Sequence, residues 1–224
     1  MQTLNEIVDQ IYCINLDKRT DRWDETVSLF SHMNISAKRV SGIEDPERPW
    51  NGLRKTVIGI FKEAIDLDYE KIIIFEDDID VDKSKFYNDL EICISHLPKD
   101  WDMFYFSAAH QQWPVAINEF LFKLSWSTAA HAIMFRKKAF VTILEELEKL
   151  ENDAIDVTYS ILQPKLNAYC CINPIAWQRK SFSDIEMQEK WYPYLKDIDF
   201  YNKYRNGTIT IDGKEIEPPS SEIQ

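Results

Sequence analysis

The apolar positions of this chain fall into two kinds of run. Short unbroken stretches occur at Ile11-Tyr12-Cys13-Ile14, Ile72-Ile73-Ile74-Phe75 and Met103-Phe104-Tyr105-Phe106. An apolar run this short reads as a strand buried on both faces, as in a parallel sheet between layers of helices. Elsewhere the apolar residues recur at three- and four-residue spacing, the mark of a half-buried helix. Trp23, Val27 and Phe30 follow a charged loop in which Thr20 or Asp21 would cap the helix. Val57, Ile58, Phe61, Ala64 and Ile65 line one face of a helix over residues 53–67. A third helix spans 86–97 and stops at Pro98. A fourth spans 138–150, with Ala139, Ile143, Leu144, Leu147 and Leu150 inward. A short one covers 157–162.

Weaker strand signals at 35–40, 129–135 and 166–172 complete the pattern, and 111–124 is irregular. Strand and helix alternate through the first half of the chain. That order predicts an α/β fold: a mixed, mainly parallel sheet flanked by helices.

The 224 residues suffice for one such domain, expected over 1–212, with a flexible tail at 213–224 that contains Pro218-Pro219-Ser220-Ser221. The net charge of −12 argues against nucleic acid or an anionic membrane as a partner. A phosphate-bearing substrate stays open, because a cation can mediate that contact. Cys13 and Cys93 sit inside apolar patterns, and Cys170-Cys171 lack the spacing of a zinc site. Reduced thiols and an intracellular, cytoplasmic setting are expected. No run of about 20 apolar residues is present, so neither a signal peptide nor a membrane span is expected.

The most informative stretch follows the Ile-rich strand. Glu76, Asp77, Asp78 and Asp80 place four carboxylates within five positions, at the strand end where open α/β sheets bind ligands. Carboxylates this close are comfortable in water or around a cation. Mg²⁺ or Mn²⁺ fits this donor chemistry and brings substrate phosphates with it; a solvated acidic turn fits the spacing equally well. The first strand ends at Asn15-Leu16 and runs into Asp17-Lys18-Arg19-Thr20-Asp21-Arg22, a basic loop entering a helix. Arg19 and Arg22 there suit an anion, or pair with Asp17, Asp21 and Asp24.

Together, Tyr12-Cys13-Ile14-Asn15-Leu16-Asp17-Lys18-Arg19-Thr20-Asp21-Arg22, Gly59 to Ala64, and Ile74-Phe75-Glu76-Asp77-Asp78 resemble the family-25 glycosyltransferases. These include lipooligosaccharide sugar transferases and collagen galactosyltransferases. Thr128-Ala129-Ala130-His131-Ala132-Ile133, Ile155-Asp156-Val157 and Ser183-Asp184-Ile185 continue the likeness in order, so that it covers roughly residues 7–185. The short form is similar to bacterial members and to capsid-glycosylating enzymes of large algal viruses; a viral member would work in the host-cell cytoplasm.

The resemblance implies a GT-A fold, a UDP-sugar or similar donor, a glycan or glycoprotein acceptor, and Mn²⁺ or Mg²⁺ on the donor diphosphate. It places Asp78 as metal ligand in a D-x-D-type motif with Glu76 or Asp80. It places Tyr12, Asn15, Leu16, Arg19, Arg22, Glu76, Asp77 and Arg179 around the donor. If the reaction inverts the anomeric centre, Asp156 is the first candidate base, with His131 and His110 behind it; a helix cap and buried or loop histidines are the plain alternatives. Ser183-Asp184 would close over the donor or form a simple turn. Trp113, Trp126 and Trp177 would stack on a sugar or belong to the core.

The chain departs from the family pattern in two places. Lys55-Thr56-Val57-Ile58-Gly59 carries no Ser-His pair, and His131 stands where an aromatic is usual. Two other readings therefore stay open: a catalytically inactive nucleotide- or carbohydrate-binding module, and a phosphoryl-transfer enzyme with Asp77 as nucleophile.

Overall fold

A computed structural model describes residues 2–197, Asp199 and the strands Ile209–Ile211 and Lys214–Ile216. The described helices include α1 (Leu4–Ile7), α2 (Thr20–His32), α3 (Pro49–Asp66), α4 (Phe86–His96), α5 (Lys137–Lys149) and α6 (Ile155–Leu162). The central sheet has β1 (Gln10–Asn15), β2 (Lys38–Ser41), β3 (Lys71–Glu76), β4 (Met103–Tyr105), β5 (Val115–Ala116), β6 (Leu121–Lys123), β7 (Ala132–Arg136) and β8 (Ala168–Cys171). Their order across the sheet is β2-β1-β3-β7-β4-β8-β6-β5. Six strands run one way; β6 and β7 oppose them. The expected mixed α/β sheet is present, and its parallel β2-β1-β3 corner comes from the strand–helix alternation.

The unbroken apolar runs are buried on both faces because alternate residues point to opposite layers. Ile72 and Ile74 pack with Val57, Ile60 and Phe61 of α3 and with Phe140 and Ile143 of α5. Ile73 and Phe75 pack with Leu29 and Phe30 of α2 and with Phe86 and Leu90 of α4. The same alternation carries Glu76 toward the α3 side.

Some local expectations need correction. Helix α2 starts after Arg19 with no side-chain cap, and it buries Thr26, Leu29 and Phe30. Val27 is 45% exposed, so the buried stripe lies one position away from the expected one. Helix α3 starts four residues early because Pro49 suits a first turn, where no N–H is needed. Its Gly52 is required: a Cβ there would lie 2.1 Å from the Ile43 carbonyl oxygen. That contact sets the loop after β2 against the helix. The irregular 111–124 segment contributes β5 and β6 to the sheet edge. Most of the expected 213–224 tail lies outside the described residues; within it, Lys214–Ile216 pairs with Ile209–Ile211.

Candidate active site

The ends of β1 and β3 open together, because Ile14 lies opposite Glu76 in the parallel ladder. Asn15-Leu16 and Asp77-Asp78 therefore emerge side by side. The loop after β2 joins them through Ser41, the register partner of Asn15. Because β7 is antiparallel to β3, its leading segment Thr128–Ala130 also arrives at this end. A cavity of about 590 Å³ sits here.

Asp77 and Asp78 follow β3 and are both buried. The Arg22 guanidinium bridges them, at 2.8 Å from Asp77 Oδ1 and 2.6 Å from Asp78 Oδ2. It also donates to Ser181 Oγ at 2.9 Å. Asn15 donates to Asp77 Oδ2 at 2.6 Å and accepts from Arg39. Arg179 holds the turn itself, donating to the carbonyls of Asp77 and Ile79 and ion-pairing with Glu25 at 3.2 Å.

Glu76 and Asp78 converge on one point. Gln178 Nε2 lies 3.4 Å from Glu76 Oε2 and 3.4 and 3.3 Å from the two Asp78 carboxylate oxygens. Burial, with the nearby negative charges of Asp78 and Asp77, pushes the Glu76 carboxyl up to about 8. Burial also raises Asp77, against the pull of Arg22. The group is thus short of positive charge even with Arg22 in place. Two converging carboxylates are what Mg²⁺ or Mn²⁺ takes from a protein when substrate phosphates supply the other oxygens. Among the described residues no group of three or more His, Cys, Asp or Glu side chains could hold a metal ion. The residues fit a cation that is completed by its substrate, with Glu76 and Asp78 as the protein's share.

Asp80 is not brought to this group. The chain turns at Asp77-Asp78, and Ile79–Asp80 then pairs with Trp177–Gln178. The Asp80 carboxylate accepts from the Val81 N–H, away from the cavity lining. This favours Glu76 with Asp78 as the converging pair.

Asp156 also lines the cavity, from the first turn of α6 rather than its N-cap, which is Ala154. Its carboxylate accepts from the Val157 N–H at 2.9 Å and meets the Ala129 N–H at 3.5 Å. Among the described residues it forms no ion pair, and burial raises its proton affinity. Ala129 holds a left-handed backbone, φ 73°. Strain of this kind gathers at functional sites.

Several expected site residues sit elsewhere. Tyr12 is fully buried three residues before Asn15, on the sheet face toward α3, where its hydroxyl donates to Glu63. Arg19 does not line the cavity; it binds Asp21 and Asp184. His131 is fully buried, with Nε2 against Ser107 and the Ala176 carbonyl and Nδ1 without a partner among the described residues. Burial lowers its pKa, and it is not among the residues that line the cavity. His110 is buried against Ser127, Trp113 and Phe122. Trp113, Trp126 and Trp177 do not line the cavity either.

The aromatic lining comes instead from Trp50, Tyr192 and Tyr194, beside Leu16, Pro46, Pro49 and Ile155. Leu16, Ser183 and Asp184 are on the cavity wall. Gln178, Ser181 and Trp50 were not foreseen. Gln178 sits between two residues that were singled out, Trp177 and Arg179; Trp50 follows the Pro49 that opens α3.

No family model matches this chain, and no curated protein matches its sequence. Among solved structures it is similar to a glycosyltransferase involved in glycosylation of the major capsid of PBCV-1. That likeness is 12% identical and spans 72% of this chain and 79% of the other, with a TM-score of 0.49. It is also similar to a Drosophila β-1,4-galactosyltransferase 7 mutant in complex with manganese, UDP-Gal and xylobiose. There the identity is 10%, the coverage 80% and 78%, and the TM-score 0.42. With TM-scores below 0.5, these likenesses carry no conclusion about the chain's chemistry.

Proposed function

We propose that this protein is a cation-dependent glycosyltransferase that moves a sugar from a nucleoside-diphosphate donor, a UDP-sugar, to a glycan or glycoprotein acceptor. One observation carries the reading. Glu76 and Asp78 converge at the strand-end cavity, with no third acid among the described residues to complete a cation site of the protein's own. A diphosphate supplies the missing oxygens.

Glu76 and Asp78 would hold Mn²⁺ or Mg²⁺ on the donor. When bound, such a cation neutralises charge on the departing diphosphate. Arg22 stands at the same point with donors suited to phosphate oxygens. Asn15, Leu16 and the loop after β2 form the wall beside it, and Trp50 offers a flat apolar face for a ring. Asp156 is the base: a carboxylate with raised proton affinity takes the acceptor hydroxyl's proton more readily than an ordinary one. The geometry argues against Asp77 as a phosphoryl-accepting nucleophile, because Asn15 and Arg22 tie its two oxygens.

Calorimetry of UDP with Mn²⁺, together with donor hydrolysis across a panel of UDP-sugars, tests the reading. The expected results are Mn²⁺-dependent UDP binding and slow hydrolysis of one donor. Binding without hydrolysis of any donor would leave a nucleotide-binding module. No UDP binding in Mn²⁺ or Mg²⁺ would overturn the reading.

A further inference from the structure

Arg22 has an unusual set of partners. Its two terminal nitrogens hold Asp77 and Asp78, its side chain is 12% exposed, and its Nε is buried with no partner among the described residues. A guanidinium has five donors. This one occupies an oxygen of Asp78, the carboxylate that also converges with Glu76 on Gln178. A divalent cation on that carboxylate would stand close to the guanidinium, and the two positive charges repel.

We propose that Arg22 is the resident counter-ion of this acidic cluster and the residue that couples cation binding to nucleotide binding. The inference rests on the donor site proposed above. Without nucleotide, Arg22 neutralises Asp77 and Asp78 and opposes a bare cation. A diphosphate changes the balance in two ways. It adds oxygens to a site where the protein offers only two converging carboxylates, and it gives the Arg22 guanidinium a bidentate anionic partner. Arg22 then leaves Asp78, while Asn15 still donates to Asp77. Ser181 moves with it, because Arg22 also holds the hydroxyl of that residue, at the start of the Ser181–Ser183 strand that borders the cavity. Arg22 is therefore a positioning residue that keeps the acidic site closed to cations until a diphosphate arrives.

The test titrates Mn²⁺ by calorimetry and by the electron paramagnetic resonance signal of free Mn²⁺, with and without saturating UDP. The wild-type protein, Arg22→Met and Arg22→Lys are compared. Coupling between two ligands is typically about 5- to 150-fold. In the wild type, UDP should tighten Mn²⁺ binding at least about tenfold, within that range. In Arg22→Met, Mn²⁺ without UDP should bind about tenfold more tightly than in the wild type, and the coupling factor should shrink correspondingly.

Arg22→Lys keeps the charge but loses the two-pronged bridge, so its Mn²⁺ affinity should fall between the two. It also serves if Arg22→Met does not fold. Unchanged or weaker Mn²⁺ binding without UDP in the folded variants would overturn the inference. Failure of the donor reading looks different. There, UDP would bind to none of the proteins, while the Mn²⁺ titration without nucleotide would still report whether Arg22 competes for Asp78.

Discussion

Asp78 and Asp156 line one cavity in opposite electrical company. Asp78 stands in a turn after β3 with Arg22 at 2.6 Å, Gln178 beside it and Glu76 converging on the same point. Asp156 stands in the first turn of α6, with two backbone N–H contacts and no ion pair among the described residues. On the proposed reading, one residue type serves two chemistries because the surroundings differ. A carboxylate among other carboxylates, with one guanidinium shared between two of them, suits a cation. A desolvated carboxylate without a counter-charge suits a proton. Substitutions that remove one role and spare the other would break or sharpen this contrast.

The largest effect is expected from Asp156→Asn. A positioned general base contributes roughly 10²–10⁴-fold to rate, and turnover should fall by about that much, with Mn²⁺-dependent UDP binding unchanged. Normal turnover in this variant, measured by UDP release, would remove Asp156 as base. Asp78→Asn should instead act on donor binding itself. Loss of even an outer partner of a bound metal costs roughly 10–100-fold in affinity, and losing a direct ligand should cost at least that in Mn²⁺-dependent UDP binding. Calorimetry reads this directly; wild-type affinity would sink the cation role. If both variants lost UDP binding equally, the two acids would share one function and the contrast would fail.

The two walls differed in how visible they were in the sequence. The acidic wall was legible because it is local: one apolar run ends in consecutive carboxylates, and the direction of the strand says where they emerge. The limits of that locality show at three other residues. Asp80 follows Asp78 by the two residues that would share a strand face, but the turn at Asp77-Asp78 breaks the period. Tyr12 lies an odd number of positions from Asn15, so the pleat turns it to a different partner, Glu63. His131 carried the right chemistry in the right segment, yet it is enclosed between Ser107 and Ala176, contacts made across long stretches of chain. Gln178, Ser181 and Trp50 meet the site only through tertiary packing, and no local pattern marks them. The fold was more legible than the site: helix and strand periods are repeated signals, whereas a cavity wall is assembled from single residues.

A smaller effect isolates Glu76. Burial and the charges of Asp78 and Asp77 push its carboxyl from the ordinary 4.5 up to about 8. Between these values the folded state keeps a proton that the unfolded chain has lost, so stability falls as pH rises through that window. His131, with its lowered pKa, acts in the opposite sense, losing stability as pH falls below its ordinary value of 6.5. Wild type and Glu76→Gln should therefore be compared in EDTA. The variant should lose the downward slope of Tm between about pH 5 and 8, while the His131 contribution persists in both. Parallel Tm profiles would show that Glu76 ionises freely and that the cluster is not short of positive charge.

The smallest effect comes from Ala129→Gly, on the Asp156 wall. The φ of 73° puts the Ala129 Cβ in the left-handed region, where a side chain costs roughly 1–2 kcal/mol. Glycine removes that strain, but it adds about 0.4–1 kcal/mol of unfolded-state freedom. It also gives up the packing of Ala129 against the buried cluster of Ala109, Trp177 and Leu195. The strain term is the largest of the three, so Tm should rise slightly, by no more than the roughly 2–4 °C that about 1 kcal/mol brings at this chain length. Turnover should fall modestly at the same time, because the strained residue aims its N–H at Asp156 and glycine lets that segment move. A drop in Tm would mean that packing outweighs strain. A rise in Tm with undiminished turnover would mean that Asp156 needs no help from Ala129, leaving the Val157 N–H at 2.9 Å as the contact that orients it.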